Sequence, residues 1–190
     1  MSSDKLQTIL EQTWSGLAKA TGQADHPWRL PALGAHGLNG PEVRTMVLRS
    51  VDPVTRQLIA QTDVRSTKVP GFRKDPRVAW HFFDPQTKVQ VRANGRVTVH
   101  HDDEVTRAAW AAVPEANKRN YATPSAPGLP VDDPSISQAQ AGAYTAAYAN
   151  FTVLCAEITF IDWLQLGDER HRRAQFTWTG SDWRGAWVVP

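Results

Sequence analysis

Apolar residues recur at helical spacing across Ser3 to Ala20, where Leu6, Ile9, Leu10, Trp14 and Leu17 share one face. The chain is therefore predicted to open with an amphipathic helix packed on the body of the domain. The next two runs, TGQADHPW and LPALGAHGLNGP, are rich in Gly and Pro and predict no regular element. From Val43 the texture changes to VRTMVLRSVD, RQLIAQTD, RVAWHFFD and TKVQVRANGRVTVHH, which read as four strands. The turn DPVTRQ makes a hairpin of the first two. In the fourth, Val89, Val91, Ala93, Val97 and Val99 alternate with Gln90, Arg92, Asn94, Arg96 and Thr98, and Gly95 predicts a bulge or a close backbone approach.

Between the second and third strands lies TDVRSTKVPGFRKDP, long enough for two helical turns. Here Ser66 is the expected N-cap, which would put Pro70 in the first turn, where a missing N–H does little harm. Such a turn is either a solvated loop or an anion site, because hydroxyls and cations supplement the unpaired N–H groups of a helix start. A second helix is expected over Asp102 to Val113, opened by acidic residues, and a third in ISQAQAGAYTAAYAN, with the Pro-rich NYATPSAPGLPVDDP between them as a loop. Strands return in FTVLCAEITFIDWLQLG, RRAQFTWTG and DWRGAWVVP, the last two joined by the hairpin turn TGSD. Six or seven mostly antiparallel strands with helices between or outside them predict a mainly β fold, a β-barrel or rolled sheet with accessory helices, formed by residues 1–190 as a single domain.

Composition narrows the function. At 190 residues, 21% charged and 41% hydrophobic, the chain suits one folded domain. Its 21 Lys+Arg against 19 Asp+Glu leave a formal charge of +2, too weak a basic footprint for a nucleic-acid binder. No apolar run approaches the ~20 residues of a membrane helix, and the amino terminus lacks a signal-peptide core, so a cytoplasmic protein without a membrane partner is expected. The lone Cys155 reads as a small buried apolar residue.

There is no GxGxxG after a strand, no GxxxxGKS/T, no HExxH, no CxxC and no GxSxG. His100, His101, Asp102 and Asp103 have metal-ligand chemistry, but neighbours on a strand face opposite ways, so no metal site is expected. What remains is a dispersed set of cations and hydroxyls, Arg44, Arg49, Arg65, Ser66, Lys68, Arg92 and Arg173, together with Gln90, whose amide can read both a donor and an acceptor.

In order along the chain, RTMVLRSVD, QTDVRSTK, DPRVAWHFF and KVQVRANGRV resemble the pyridoxamine 5'-phosphate oxidase family of flavin mononucleotide (FMN) proteins. The likeness resumes from Ile158, where Trp163 precedes ERHRR and Trp183 to Pro190 resemble the family's ending. The resemblance implies an FMN-binding split barrel, of antiparallel Greek-key type, that works as a homodimer with FMN at the subunit interface. It implies a phosphate site of Arg44, Ser66 and Lys68. Thr67 stands where the family has Arg, and Arg65 is expected to supply the guanidinium instead. The run Thr45, Met46, Val47, Leu48 and Arg49 would lie along the flavin, with Gln61 and Thr62 closing the second strand and Gln90 facing the ring. Trp163 and Arg173 would reach the cofactor from the partner subunit, and His171 would meet the substrate. Catalytic residues are not named by the pattern.

The departures fall on the substrate side. Glu169 and Arg172 stand where the family has Arg and Asp, and Ala109 and Val113 where it has Tyr and Arg. The expectation is an FMN-dependent oxidoreductase with an altered substrate site rather than a true pyridoxamine phosphate oxidase, the alternative being a non-catalytic flavin carrier or sensor.

Overall fold

The computed structural model describes residues 2–38, 40–133, 135, 144–168 and 170–190. Its first helix, α1 (Ser2–Gly22), buries Ile9, Leu10, Trp14 and Leu17, the predicted apolar stripe. Nine strands follow among the described residues: β1 (Ala32–Gly37), β2 (Gly40–Thr45), β3 (Ser50–Asp52), β4 (Gln57–Asp63), β5 (Arg77–Asp84), β6 (Val89–His100), β7 (Phe151–Gln165), β8 (Arg172–Trp178) and β9 (Trp183–Val188). The helices between them are α2 (Lys68–Lys74), α3 (Glu104–Ala111), α4 (Glu115–Lys118) with a 3-10 turn over Arg119–Tyr121, and α5 (Tyr144–Asn150). The amino-terminal part of the third predicted helix, residues 136–143, lies outside the described residues.

Two strands beyond the expected count come from one region. The Gly/Pro-rich LPALGAHGLNGP, expected to be irregular, forms β1 and the first two residues of β2, paired antiparallel from Ala32↔Thr45 to Gly37↔Gly40. Backbone pairing with β2 and β5 and burial of Leu33 override weak local propensity here. The run Val43 to Asp52, read as one strand, is broken into β2 and β3 by residues 46–49. These four residues bridge the sheet: Met46 N–H donates to Pro31 O, Leu48 N–H to Arg29 O, and Arg49 N–H, on the other side, to Ile59 O.

The sheet order is β2-β1-β5-β6-β7-β4-β3, with β8 and β9 branching from β7. All pairings are antiparallel and the hydrogen-bonded ladder does not close, so the fold is an open split barrel. The split has a local origin in β7, the longest strand. One edge pairs with β6 along its length, while the other is shared between β4 (Phe151 to Glu157) and β8 (Phe160 to Gln165). A register shift opposite Asn94/Gly95 marks the changeover, and a Cβ on Gly95 would stand 1.9 Å from Glu157 O. The predicted bulge and the close approach are one feature.

The two halves of β7 are covered differently. In the first half, Leu154 and Ala156 face the barrel core with Leu58, Trp80 and Phe82, while Phe151, Val153 and Cys155 face a second core with Val113, Tyr121 and Ala147. Past the bulge, Ile161 and Trp163 face inward and the outer face carries Asp162 and Leu164, with no helix among the described residues over them. Each large buried side chain contributes roughly 1.5–3 kcal/mol.

Candidate functional site

Two groups of predicted site residues form, on different faces. The first is the turn after β4. Asp63 O accepts from Ser66 N–H at 3.1 Å and Ser66 O from Val69 N–H at 2.9 Å, which folds the chain into α2. Ser66 is not the N-cap as expected. Thr67 holds that position without a side-chain cap, and the buried Ser66 hydroxyl instead accepts from Lys68 Nζ at 2.6 Å. Pro70 does sit in the first turn. Gly71 lets α2 dock on β1, since a Cβ there would come within 2.8 Å of His36 O. That docking carries Lys68 toward Arg44, which pairs with Glu42 on β2.

Burial, and next the charge of Arg44, lower the Lys68 pKa from its ordinary value, against the opposing pull of Asp63 and Glu42. Two cations and a hydroxyl in a half-buried place thus stand close enough to oppose one another, and an anion would relieve that opposition.

Arg65 does not join them. Its backbone N–H and Nε both donate to Asp63 Oδ1, at 2.8 and 3.0 Å, and its Nη2 to Asp63 Oδ2 at 2.7 Å. Its remaining donors go to Thr123 O at 3.1 Å from both Nη1 and Nη2, to Thr123 Oγ1 and to Pro124 O. The guanidinium expected to replace the family's Arg is spent on anchoring the loop after the 3-10 turn. Thr62 is buried at the end of β4 and Gln61 half-buried on the opposite face. Met46 and Leu48 are core residues, whereas Val47 and Arg49 are half-buried and Thr45 is exposed.

The second group lies on the uncovered face. Cross-strand pairing aligns His81, Arg92, Asp162 and Gln175 in one row, and Phe83, Gln90, Leu164 and Arg173 in the next row of the same face. Gln90 Oε1 lies 3.2 Å from His81 Nε2. Arg44, by contrast, belongs to the row of Leu33, Trp80, Ala93 and Ile161, which is the inward one. Trp163 also faces inward, opposite Ala174, so it is not on the face of Arg173, its expected companion. It lines a cleft of about 870 Å³ beneath α1 with Trp28 and Val89. Arg173 lines another, of about 460 Å³, with Lys5, His171, Arg172 and Trp187.

Asp162 was not anticipated. It is fully buried and accepts from Arg173 Nε (3.0 Å) and Nη2 (2.7 Å), Arg92 Nη2 (2.5 Å) and Gln175 Nε2 (3.0 Å). Burial, the largest single effect, raises its pKa, but the bonds from Arg173, Gln175 and Arg92 outweigh it and hold the carboxyl at about 2. An acid inside the apolar run FIDW, on a strand flanked by arginine-bearing strands, was the available signal. The other acidic cluster is accounted for locally: Asp103 caps α3 and its Oδ2 pairs with His100 Nδ1 at 2.7 Å. Cys155 is buried, and burial pushes its thiol up to about 11. No helix among the described residues is long and apolar enough to cross a membrane.

A sequence model described as pyridoxamine 5'-phosphate oxidase, FMN-binding domain, matches residues 6–101, just over half of the chain. The chain belongs to this family. Within it, pyridoxine/pyridoxamine 5'-phosphate oxidase 2 of Arabidopsis thaliana is 29% identical over 145 residues, covering 70% of this chain and 72% of that protein. The crystal structure of a pyridoxamine 5'-phosphate oxidase-related, FMN-binding protein from Nostoc punctiforme superposes with a TM-score of 0.76 at 22% identity, over 94% of this chain and 96% of that one. PhzG from Burkholderia lata, solved with tetrahydrophenazine-1-carboxylic acid, gives 0.71 at 17% identity over 97% and 92%. At these identities the two structures establish the shared split-barrel fold.

Two of the positions departing from the family pattern have clear places in the fold. Val113 is buried in the second core and Ala109 packs against it, beside Tyr121 and Phe151. They serve packing, and neither carries a polar group toward a substrate. Glu169 lies outside the described residues.

Proposed function

We propose that the protein binds FMN as a homodimer and works as an oxidoreductase on a substrate other than pyridoxamine phosphate. The observation that carries this reading is the buried Ser66 hydroxyl holding the Lys68 ammonium beside Arg44. Both cations and the hydroxyl fit a phosphate monoester, whose charge would offset the burial and, after it, the Arg44 repulsion that lower the Lys68 pKa. FMN, when bound, supplies the redox chemistry, and the chain's part is to bind, orient and limit access.

The two faces support the dimer reading. Arg44 and Gln90 sit on opposite faces of one sheet, which supports a reading in which each chain contributes to two sites. In this reading the phosphate turn of one chain meets Gln90 and Arg173 of the other. The altered substrate follows from Ala109 and Val113, and from the cations Lys5, Arg172 and Arg173 around His171 and Trp187, which suit an anionic planar molecule. His171, which lines that pocket, accepts at Nδ1 from Gly167 N–H at 3.2 Å.

The test is a titration of purified protein with FMN, read by flavin absorbance and fluorescence, alongside its mass in solution. Wild type should bind FMN as a dimer, and Lys68→Ala should weaken binding about 100-fold, the loss of one charge-assisted phosphate contact costing roughly 2–3 kcal/mol. A colourless protein that ignores added FMN sinks the reading. Anaerobic reduction of the bound flavin by NADH or NADPH distinguishes an oxidoreductase from a carrier.

A further inference from the structure

Asp162 is a buried carboxylate on a sheet face that is otherwise open to solvent. Strands in that setting need only polar residues outward, and burying an ion pair there gains little net stability. Its partners explain its presence better. Arg92 and Gln175 are its direct cross-strand neighbours, and Arg173, on the diagonal, grips it with two donors. A planar fork held at Nε and Nη2 loses its freedom to rotate, which is the costly part of ordering an arginine for a ligand. After those bonds Arg173 Nη1 has no protein acceptor among the described residues, so its donors are available. The same residue lines the cationic pocket with His171 and Trp187.

We propose that Asp162 is a positioning residue, which presets the Arg173 guanidinium for the FMN bound at the partner's phosphate turn. Arg92 is the second cation it holds on that face and Gln175 completes its acceptor capacity. The inference rests on the cofactor reading above. It assigns Asp162 a role that acts through Arg173 and through nothing else at the site.

A double-mutant cycle on FMN affinity tests it, with Asp162→Asn, Arg173→Ala and the double variant, all in the full chain. Asp162→Asn keeps the shape and should weaken FMN about 10-fold in the wild-type background. In the Arg173→Ala background it should have no further effect, because the residue it positions is gone. Unchanged affinity in Asp162→Asn, or an equal loss in both backgrounds, overturns the proposal while leaving the cofactor reading standing. Failure of the wild type to bind FMN overturns the cofactor reading itself. Should Asp162→Asn not fold, Arg173→Lys replaces it: a lysine keeps the charge but cannot be held at two points, so it should bind FMN as weakly as Arg173→Ala, and wild-type affinity would refute the presetting role.

Discussion

Asp63 with Arg65 and Asp162 with Arg173 are the same chemical device in two places. In each, a buried carboxylate takes Nε and Nη2 of one guanidinium, with Nη2 at 2.7 Å in both. They differ in what happens to the remaining donors. Arg65 gives them to Thr123 and Pro124, tying the loop to the end of β4, while Arg173 Nη1 meets no acceptor among the described residues and lies beside a pocket. An arginine is available to a ligand only to the extent that the fold leaves it surplus donors, so charge and position in the sequence do not suffice to name a binding residue.

The comparison can be broken at the carboxylates, where the largest effects are expected. Asp63→Ala and Asp162→Ala should each cost about 2 kcal/mol in urea unfolding, since each strands a bidentate guanidinium. Comparable losses would confirm that both pairs are structural anchors; a neutral result at either would show that its arginine finds water at no cost.

At the arginines a smaller and divergent effect is expected. Arg65→Ala should leave FMN affinity within about 3-fold of wild type, less than one charge-assisted hydrogen bond is worth. It should, however, speed proteolysis or amide exchange across residues 122–129, because those carbonyls lose their anchor. A 10-fold or greater loss of FMN affinity without loop opening would return Arg65 to the phosphate.

The third effect is on acid stability. With its folded pKa near 2 and an unfolded value of ~3.9, Asp162 contributes stability that is fully present above pH 4 and is lost as pH falls toward 2. Between those limits the wild type should lose stability more steeply than Asp162→Asn, as read by urea unfolding at successive pH values. Parallel slopes would mean that Arg92, Arg173 and Gln175 do not hold the charged form.

Much of the fold was legible because strands announce themselves locally. RVAWHFFD is β5 over Arg77 to Asp84, and the alternation of β6 and the kink at Gly95 were both present in the pattern. The β1–β2 hairpin was not, because its glycines and prolines carry no alternation and its pairing is supplied by β5. In the site, Ser66, Lys68 and Arg44 were named from the motif and do come together, whereas Trp163 and Arg173 were expected as companions and face opposite ways. The bulge opposite Gly95 shifts the parity of β7, a change that residue spacing along β7 alone does not reveal.

The sequence by itself determined the strand alternation, the amphipathic first helix, the family and the cations available for an anion, all properties of neighbouring residues or of motif order. Only the tertiary structure decided which of those cations are free. Arg65 meets Thr123 fifty-eight positions away, Arg92 meets Asp162 across seventy, and these non-local partners fix how many donors each guanidinium has left.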